Sequence, residues 1–319
     1  MTDDPKLRRW IEETLGSKRK ESDVIQSLWS GYGSLQRIYC EDGTRAILKC
    51  VAPPVDAGHP RGWNGAEGHA RKLRSYEVEC AFYSRWASEC TDACRVPRVL
   101  GVNAHDGGWW MMLEDLDERG FDRRPSRLTT PERNACLRWL ANFHARFLAV
   151  SPKGLWPTGT YWHLATRPDE LRAMPTGPLR DAADALDARL SGGRFRTFVH
   201  GDAKVANFCF GSEQVAAVDF QYVGGGCGMK DVAYFLSSIL TESECEDQAD
   251  TCLDIYFAEL RDALRKSVDA DALEAEWRGL YPFAWADFHR FLAGWAPSHA
   301  KVHGYTCRMT SEALSTLES

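Results

Sequence analysis

Apolar positions in the first 115 residues fall mostly in short strand-like runs, and later ones recur mostly at helical spacing. Asp4 followed by Pro5 predicts a short helix over 5–15, with the aspartate as cap and the proline at the first position. Strand-like runs follow at 25–28 and 35–40. Glu41-Asp42-Gly43 turns the chain into a third run, 45–51, which contains Lys49. Residues 53–68 are rich in proline and glycine and read as a long loop. A helix over 75–90 would present Val78, Ala81, Phe82 and Trp86 on one side. Runs at 99–102 and 109–113 read as a hairpin around Asp106-Gly107-Gly108.

After Glu114-Asp115-Leu116 the spacing changes. Thr130 would cap a helix begun by Pro131 and Glu132, with Leu137, Leu140, Ala141, His144 and Leu148 as its stripe. Short strands are predicted at 195–199, 207–210 and 215–220, and helices from Met229 to the end. The pattern is an α+β chain in two unequal lobes, 1–115 rich in strands and 116–319 mostly helical, joined near residue 115.

Composition narrows the classes of function. The 319 residues, 44% hydrophobic, suffice for a sizeable core without covalent staples. A balance of 39 Lys+Arg against 45 Asp+Glu leaves −6, which excludes bulk attraction to nucleic acid or an anionic membrane. No run of about 18 apolar residues occurs, so no membrane span is expected. The first residues lack a basic then apolar layout, and a cytoplasmic location is expected. The eleven cysteines then read as reduced thiols used in packing, the close pair Cys90 and Cys94 included.

The candidate chemistry is concentrated in Val199-His200-Gly201-Asp202-Ala203-Lys204-Val205-Ala206-Asn207-Phe208, with Asp219 twelve positions past Asn207. This spacing puts Asp202, Lys204, Asn207 and Asp219 on loops flanking a small hairpin. Two carboxylates and an amide oxygen are the hard donors that magnesium with phosphates requires. A free carboxylate can accept a hydroxyl proton, and a lysine can neutralise phosphate charge.

His-Gly-Asp, four residues, Asn, and then Asp219-Phe220 resemble the catalytic and metal-binding loops of the protein-kinase-like superfamily. More narrowly they resemble the aminoglycoside phosphotransferase and choline kinase group. Gln221, and Lys230-Asp231-Val232-Ala233-Tyr234-Phe235-Leu236, are similar to the ecdysteroid-kinase-like branch. The resemblance covers roughly residues 30–236. It implies a protein-kinase-like fold, with an antiparallel N-lobe sheet, one main helix and a larger helical C-lobe. It also implies transfer of the γ-phosphoryl group of ATP, with Mg2+, to a hydroxyl of a small molecule.

Residue by residue, Lys49 matches the lysine at the first phosphates, and Glu79 the helix glutamate that holds it. Glu114 and Leu116 match a hinge whose backbone holds adenine. Gly31, Gly33 and Ser34 fall at the phosphate loop, although Gln36 replaces its third glycine. Asp202 matches the base, Asn207 and Asp219 the metal ligands. Lys204 stands where many of this group have histidine or tryptophan, and would contact the transferred phosphoryl group.

The remaining candidates have structural readings. His200 is expected as a buried scaffold residue, His144 as a satisfied core histidine, and Asp231 as a cap or brace of the loop. Trp277, Tyr281, Trp285, Phe288 and Trp295 read as core, with part of that stripe open to substrate. Glu242, Glu244, Glu246 and Asp247 read as a solvated loop. The acceptor stays open: the acidic run favours a cation such as an aminoglycoside or choline, the branch cues a sterol-like alcohol. ATP and GTP also stay open. A monomer or weak homodimer is expected. The alternative is an inactive nucleotide-binding pseudokinase or scaffold, opposed by the presence of Lys49, Asp202, Asn207 and Asp219. A protein kinase is opposed by the His-Gly-Asp motif and the lack of Ala-Pro-Glu after Asp219.

Overall fold

A computed structural model describes residues 4–28, 31–53, 66–105 and 107–318. The N-terminal part contains α1 (Pro5–Leu15), β1 (Arg19–Ser27), β2 (Gly33–Cys40), β3 (Arg45–Val51), α2 (Ala66–Arg85), β4 (Val99–His105) and β5 (Gly108–Glu114). The strands form one antiparallel sheet in the order β1-β2-β3-β5-β4. Period-2 alternation on β3 divides its side chains between two faces. Ala46, Leu48 and Cys50 join Leu7 and Ile11 of α1 in one cluster, while Ile47 and Val51 join Tyr76, Val78 and Phe82 of α2 in another. Lys49 falls on the α2 face by the same count.

The C-terminal part contains α3 (Thr130–Arg146), α4 (Pro168–Ala173), α5 (Pro178–Asp181), α6 (Ala183–Ser191), β6 (Thr197–Val199), β7 (Phe208–Phe210), β8 (Val215–Ala217), β9 (Gly224–Gly226), α7 (Met229–Ile239), α8 (Glu242–Ala263), α9 (Ala270–Trp295) and α10 (Gly304–Glu318). Two short antiparallel pairs, β6–β9 and β7–β8, carry the loops of interest. The two-lobed α+β plan read from the sequence is the observed fold class.

Several boundaries differ for physical reasons. Helix α2 begins at Ala66, within the stretch read as loop, because Ala66 to Arg74 is rich in strong helix formers despite Gly68. It ends at Arg85, and Ala87–Glu89 is a separate 3-10 turn. Residues 54–65 of the expected loop, and Asp106 of the expected hairpin, lie outside the described residues. Strand β1 is longer than its apolar run because backbone pairing with β2 extends it from Arg19 to Ser27, while as an edge it leaves even Val24 and Ile25 exposed. The cap of α3 is Thr129 rather than Thr130, in a reciprocal box with Glu132. The carboxylates at 242–247 open α8 instead of forming a loop, with Thr241 as cap and Glu244 closing the box. Nine of the eleven cysteines are buried and all are free, as their packing role requires.

Candidate active site

The site is assembled where α2, β3 and the two small hairpins meet. Lys49 Nζ donates to both Glu79 oxygens, at 2.8 and 2.7 Å, and lies 3.4 Å from Asp219 Oδ1. Burial alone would lower the Lys49 ammonium, but Glu79 and Asp219 more than restore it, so it stays charged. Glu79 is pushed up by burial and held back by Lys49. Its neighbour Glu77 is exposed and pairs with Arg74 instead.

Asp219 sits in the left-handed region at φ 69°, in the loop that follows β8. Burial would raise its carboxyl, yet Lys49, Lys72 and Lys204 hold it at about 2. Phe220 stacks on Phe82 of α2 at 3.9 Å and lies 4.6 Å from His200. That aromatic column fastens the Asp219 loop to both parts of the chain.

Asp202 is turned by a loop with two supports. Asp231 accepts from the backbone N–H groups of His200 and Gly201 at 2.5 and 2.9 Å. Gly201 itself has φ +80°, and a Cβ there would meet the Tyr222 carbonyl at 2.1 Å. His200 is fully buried, accepts the Asp202 N–H at Nδ1, and meets the Val218 carbonyl at Nε2. His144 lies between Tyr256 and Asp231, satisfied in the core.

The two Asp202 oxygens differ. Oδ2 accepts from Lys204 Nζ at 2.9 Å and Asn207 Nδ2 at 3.0 Å. Oδ1 is buried without a hydrogen-bond partner among the described residues. Burial and Asp219 push the Asp202 carboxyl up, against Lys204. Asn207 spends its amide hydrogens on Asp202, and among the described residues its side-chain oxygen has no hydrogen-bond partner; its backbone carbonyl accepts from Val218, next to Asp219. Asn207 and Asp219 are a hard-oxygen pair, and this donor set fits magnesium whose other ligands are phosphate oxygens and water.

Gly33 has φ +131°, and a Cβ there would meet the Cys50 carbonyl at 2.0 Å, so the turn into β2 needs glycine. Ser34 lies opposite Cys50, next to Lys49. Gln36, at the third glycine position, is buried and donates to Ser34 Oγ. Gly31 opens the turn at φ 75°, and Tyr32 reaches from it to His69 of α2. Glu114 ends β5 with its carboxylate held by Arg95, Arg119 and the Arg98 N–H. Leu116 packs with Phe121, Cys209 and Ala216.

A scan against family models matches residues 30–283 to the model described as APH, phosphotransferase enzyme family. The chain belongs to that phosphotransferase family. As a member it is an enzyme, a small-molecule kinase. A search of curated proteins finds no match. Among solved structures, the phosphotransferase fold is shared with amicoumacin kinase hAmiN in complex with AMP-PNP and Ca2+, at 15% identity, TM-score 0.57, and coverage of 100% of this chain and 96% of that one. A microcompartment-associated aminopropanol kinase (15% identity, TM-score 0.48, coverage 97% and 94%) is also similar. So is choline kinase LicA from Streptococcus pneumoniae (14%, 0.48, 98% and 99%).

In this phosphotransferase the structure adds residues that sequence reasoning missed. Lys72 donates to Gln221 Oε1 at 2.8 Å, and Gln221 Nε2 donates to Asp219 Oδ1 at 2.7 Å. Lys72, Tyr76 and Glu79 share one ridge of α2, a spacing that would have identified Lys72 had the helix been started early enough. Tyr234 lies beside Asp202, and its hydroxyl meets that of Tyr161. Of the aromatic stripe on α9, Trp277, Tyr281 and Trp285 join the main core. Phe288 instead joins Trp162, Tyr234 and Phe291, and Trp295 is 40% exposed.

Proposed function

We propose that the enzyme transfers the γ-phosphoryl group of ATP, as its magnesium complex, to a hydroxyl of a small molecule. The observation that carries this reading is the orphaned, buried Oδ1 of Asp202. An acceptor hydroxyl placed there gives that oxygen its missing donor. As the new O–P bond forms and the bond from γ-phosphorus to the ADP oxygen breaks, the hydroxyl proton passes to Asp202. The products are the phosphate monoester and ADP. A carboxyl pushed up by burial is suited to that proton.

The other residues bind and neutralise. Lys49, aligned by Glu79, would take the first phosphates, under the turn of Gly31, Gly33 and Ser34. The backbone at Glu114 and Leu116 would meet adenine, since the hinge side chains are committed to arginines and to apolar packing. Lys204 fixes Asp202 and would meet the phosphoryl group in flight. Asn207 and Asp219 would hold magnesium, which supplies charge neutralisation across the phosphates. Alignment and electrostatics account for catalysis, with little covalent chemistry asked of the protein.

An inactive nucleotide-binding module is not favoured, because the four groups such a module would dispense with converge here. The test is ADP release with a panel of alcohols, repeated with Asp202→Asn. The variant is expected to lose at least about 10²-fold in kcat while still binding nucleotide. Near-normal turnover in that variant would remove Asp202 from its role.

A further inference from the structure

Lys301 lies in the turn between α9 and α10, and its ammonium stands 4.5 Å over the ring of Tyr234 and 5.4 Å over that of Phe288. Its backbone is held on both sides: the N–H donates to His299 Nδ1, and the carbonyl accepts from Thr306 Oγ1. Among the described residues the ammonium makes no ion pair and no hydrogen bond, although burial lowers it to about 8 against the pull of Asp202. Asp202 makes no hydrogen bond or ion pair with it: its Oδ2 is held by Lys204 and Asn207, and its Oδ1 has no partner among the described residues.

Tyr234 is the shared landmark. The cation lies over its face, while its hydroxyl lies beside the Asp202 carboxylate. A second cation borders the same aromatic group, because Arg167 lies over Tyr161 and Phe291. Its carboxylate partner Glu170 is buried and already spent on it. Two carboxylates of the acidic run read as favouring a cationic acceptor are engaged elsewhere. Glu244 caps α8 and Glu246 pairs with Arg308.

We propose that the acceptor is an anionic hydroxy compound, whose carboxylate or phosphate is bound by Lys301 over Tyr234 and Phe288 while its hydroxyl meets Asp202. This inference rests on the phosphotransferase reading above and names the substrate class for the same site. The separation is short, so the anion and the hydroxyl are separated by little more than a tyrosine ring.

The test uses matched probes that differ in charge. One set is glycerate, glycerol 3-phosphate, glycerol and 3-aminopropane-1,2-diol. The second is 4-(hydroxymethyl)benzoate, benzyl alcohol and 4-(aminomethyl)benzyl alcohol. ADP release gives kcat/KM for each, with protection of Lys301 from acetylation as a second readout. The expected result is that an anionic probe exceeds its neutral partner by about tenfold or more, and that the ratio collapses toward one in Lys301→Met. Glycerate against glycerol 3-phosphate then tells carboxylate from phosphate.

A neutral or cationic preference overturns the inference, as does an anionic preference that survives Lys301→Met. A loss in Lys301→Met that is equal for all probes also overturns it, because the lysine would then serve the phosphoryl group common to them. No acceleration and no protection by any anionic probe overturns it too, while acceptor-independent ATP hydrolysis would leave the phosphotransfer reading standing. Absence of ADP release under every condition removes both.

Discussion

Lys72 and Asp219 are joined through a single amide: Gln221 accepts from Lys72 at 2.8 Å and donates to Asp219 at 2.7 Å. Ser75 Oγ donates to the same Gln221 oxygen at 3.2 Å. Helix α2 therefore has two polar links to the Asp219 loop, through Lys49–Glu79 and through Gln221, beside the stacking of Phe82 on Phe220.

Gln221→Leu keeps the side-chain volume and removes the second attachment. Lys72 then keeps its burial but loses its acceptor, and Asp219 loses a donor. Such charge-assisted bonds contribute about 1.5–3 kcal/mol, so kcat/KM for ATP is expected to fall about tenfold or more. Initial rates at varied ATP decide it. A value within twofold of the parent enzyme would mean that Gln221 is not needed to position Asp219.

Lys72 also gives a pH signature. Burial lowers its ammonium to about 8, with Asp219 opposing and Lys49 assisting the shift. In the unfolded chain a lysine titrates near ~10.4, so between about 8 and 10.4 the folded protein binds fewer protons than the unfolded one. Stability from this group therefore rises with pH across that window, by at most about 1.4 kcal/mol per unit. Lys301 adds a second such rise. Lys72→Met is expected to flatten part of the increase in denaturation midpoint from pH 8 to 10. It should also remove an alkaline decline near pH 8 in kcat/KM for ATP. An identical pH profile in the variant would rule out Lys72 as a charge at the nucleotide site.

The motif residues were legible in the sequence because each is tied to a local constraint. Gly201 stands against the Tyr222 carbonyl, His200 and Asp231 hold the loop, and Asn207 is fixed by its bonds to Asp202. Lys49 was legible only through its place on the third strand-like run together with the resemblance, because a lysine in a strand by itself reads as a solvent-facing charge. Lys72 was hidden by a glycine inside a helix, since Gly68 ends a stretch that reads as loop. Tyr161 and Lys301 left no signal, because they lie on irregular segments that tertiary packing of α7 and α9 brings to Asp202. Gln221 was visible as a departure after Asp219-Phe220, but its partner on α2 was not.

Gly201→Ala tests the backbone requirement. The φ of +80° and a Cβ at 2.1 Å from the Tyr222 carbonyl and 2.8 Å from the Thr160 nitrogen demand movement of backbone, not of a flexible side chain. Strain and overpacking together should cost at least about 2 kcal/mol. The expected outcome is a melting temperature several degrees lower, with a fall in kcat that exceeds any change in nucleotide affinity. A variant with unchanged melting and turnover would show that the loop relaxes freely.

Asp231→Asn separates support of the loop from binding of nucleotide. Both Asp231 oxygens accept from backbone N–H groups on the approach to Asp202, and Oδ2 also meets His144 Nε2 at 3.1 Å. An asparagine presents one NH2 group, so whichever way the amide turns, a donor faces a donor. Leaving a buried N–H unsatisfied costs about 1–3 kcal/mol, and the loop is expected to shift Asp202 away from the acceptor. The Lys49–Glu79–Asp219 group does not depend on this support. Turnover should therefore fall by about 10²-fold while KM for ATP changes by less than about threefold, a split that general loss of folding would not produce. Thermal unfolding and two-substrate kinetics on the same preparation check it. Lower stability with kcat intact would assign Asp231 to the core and leave the placement of Asp202 to His200 alone.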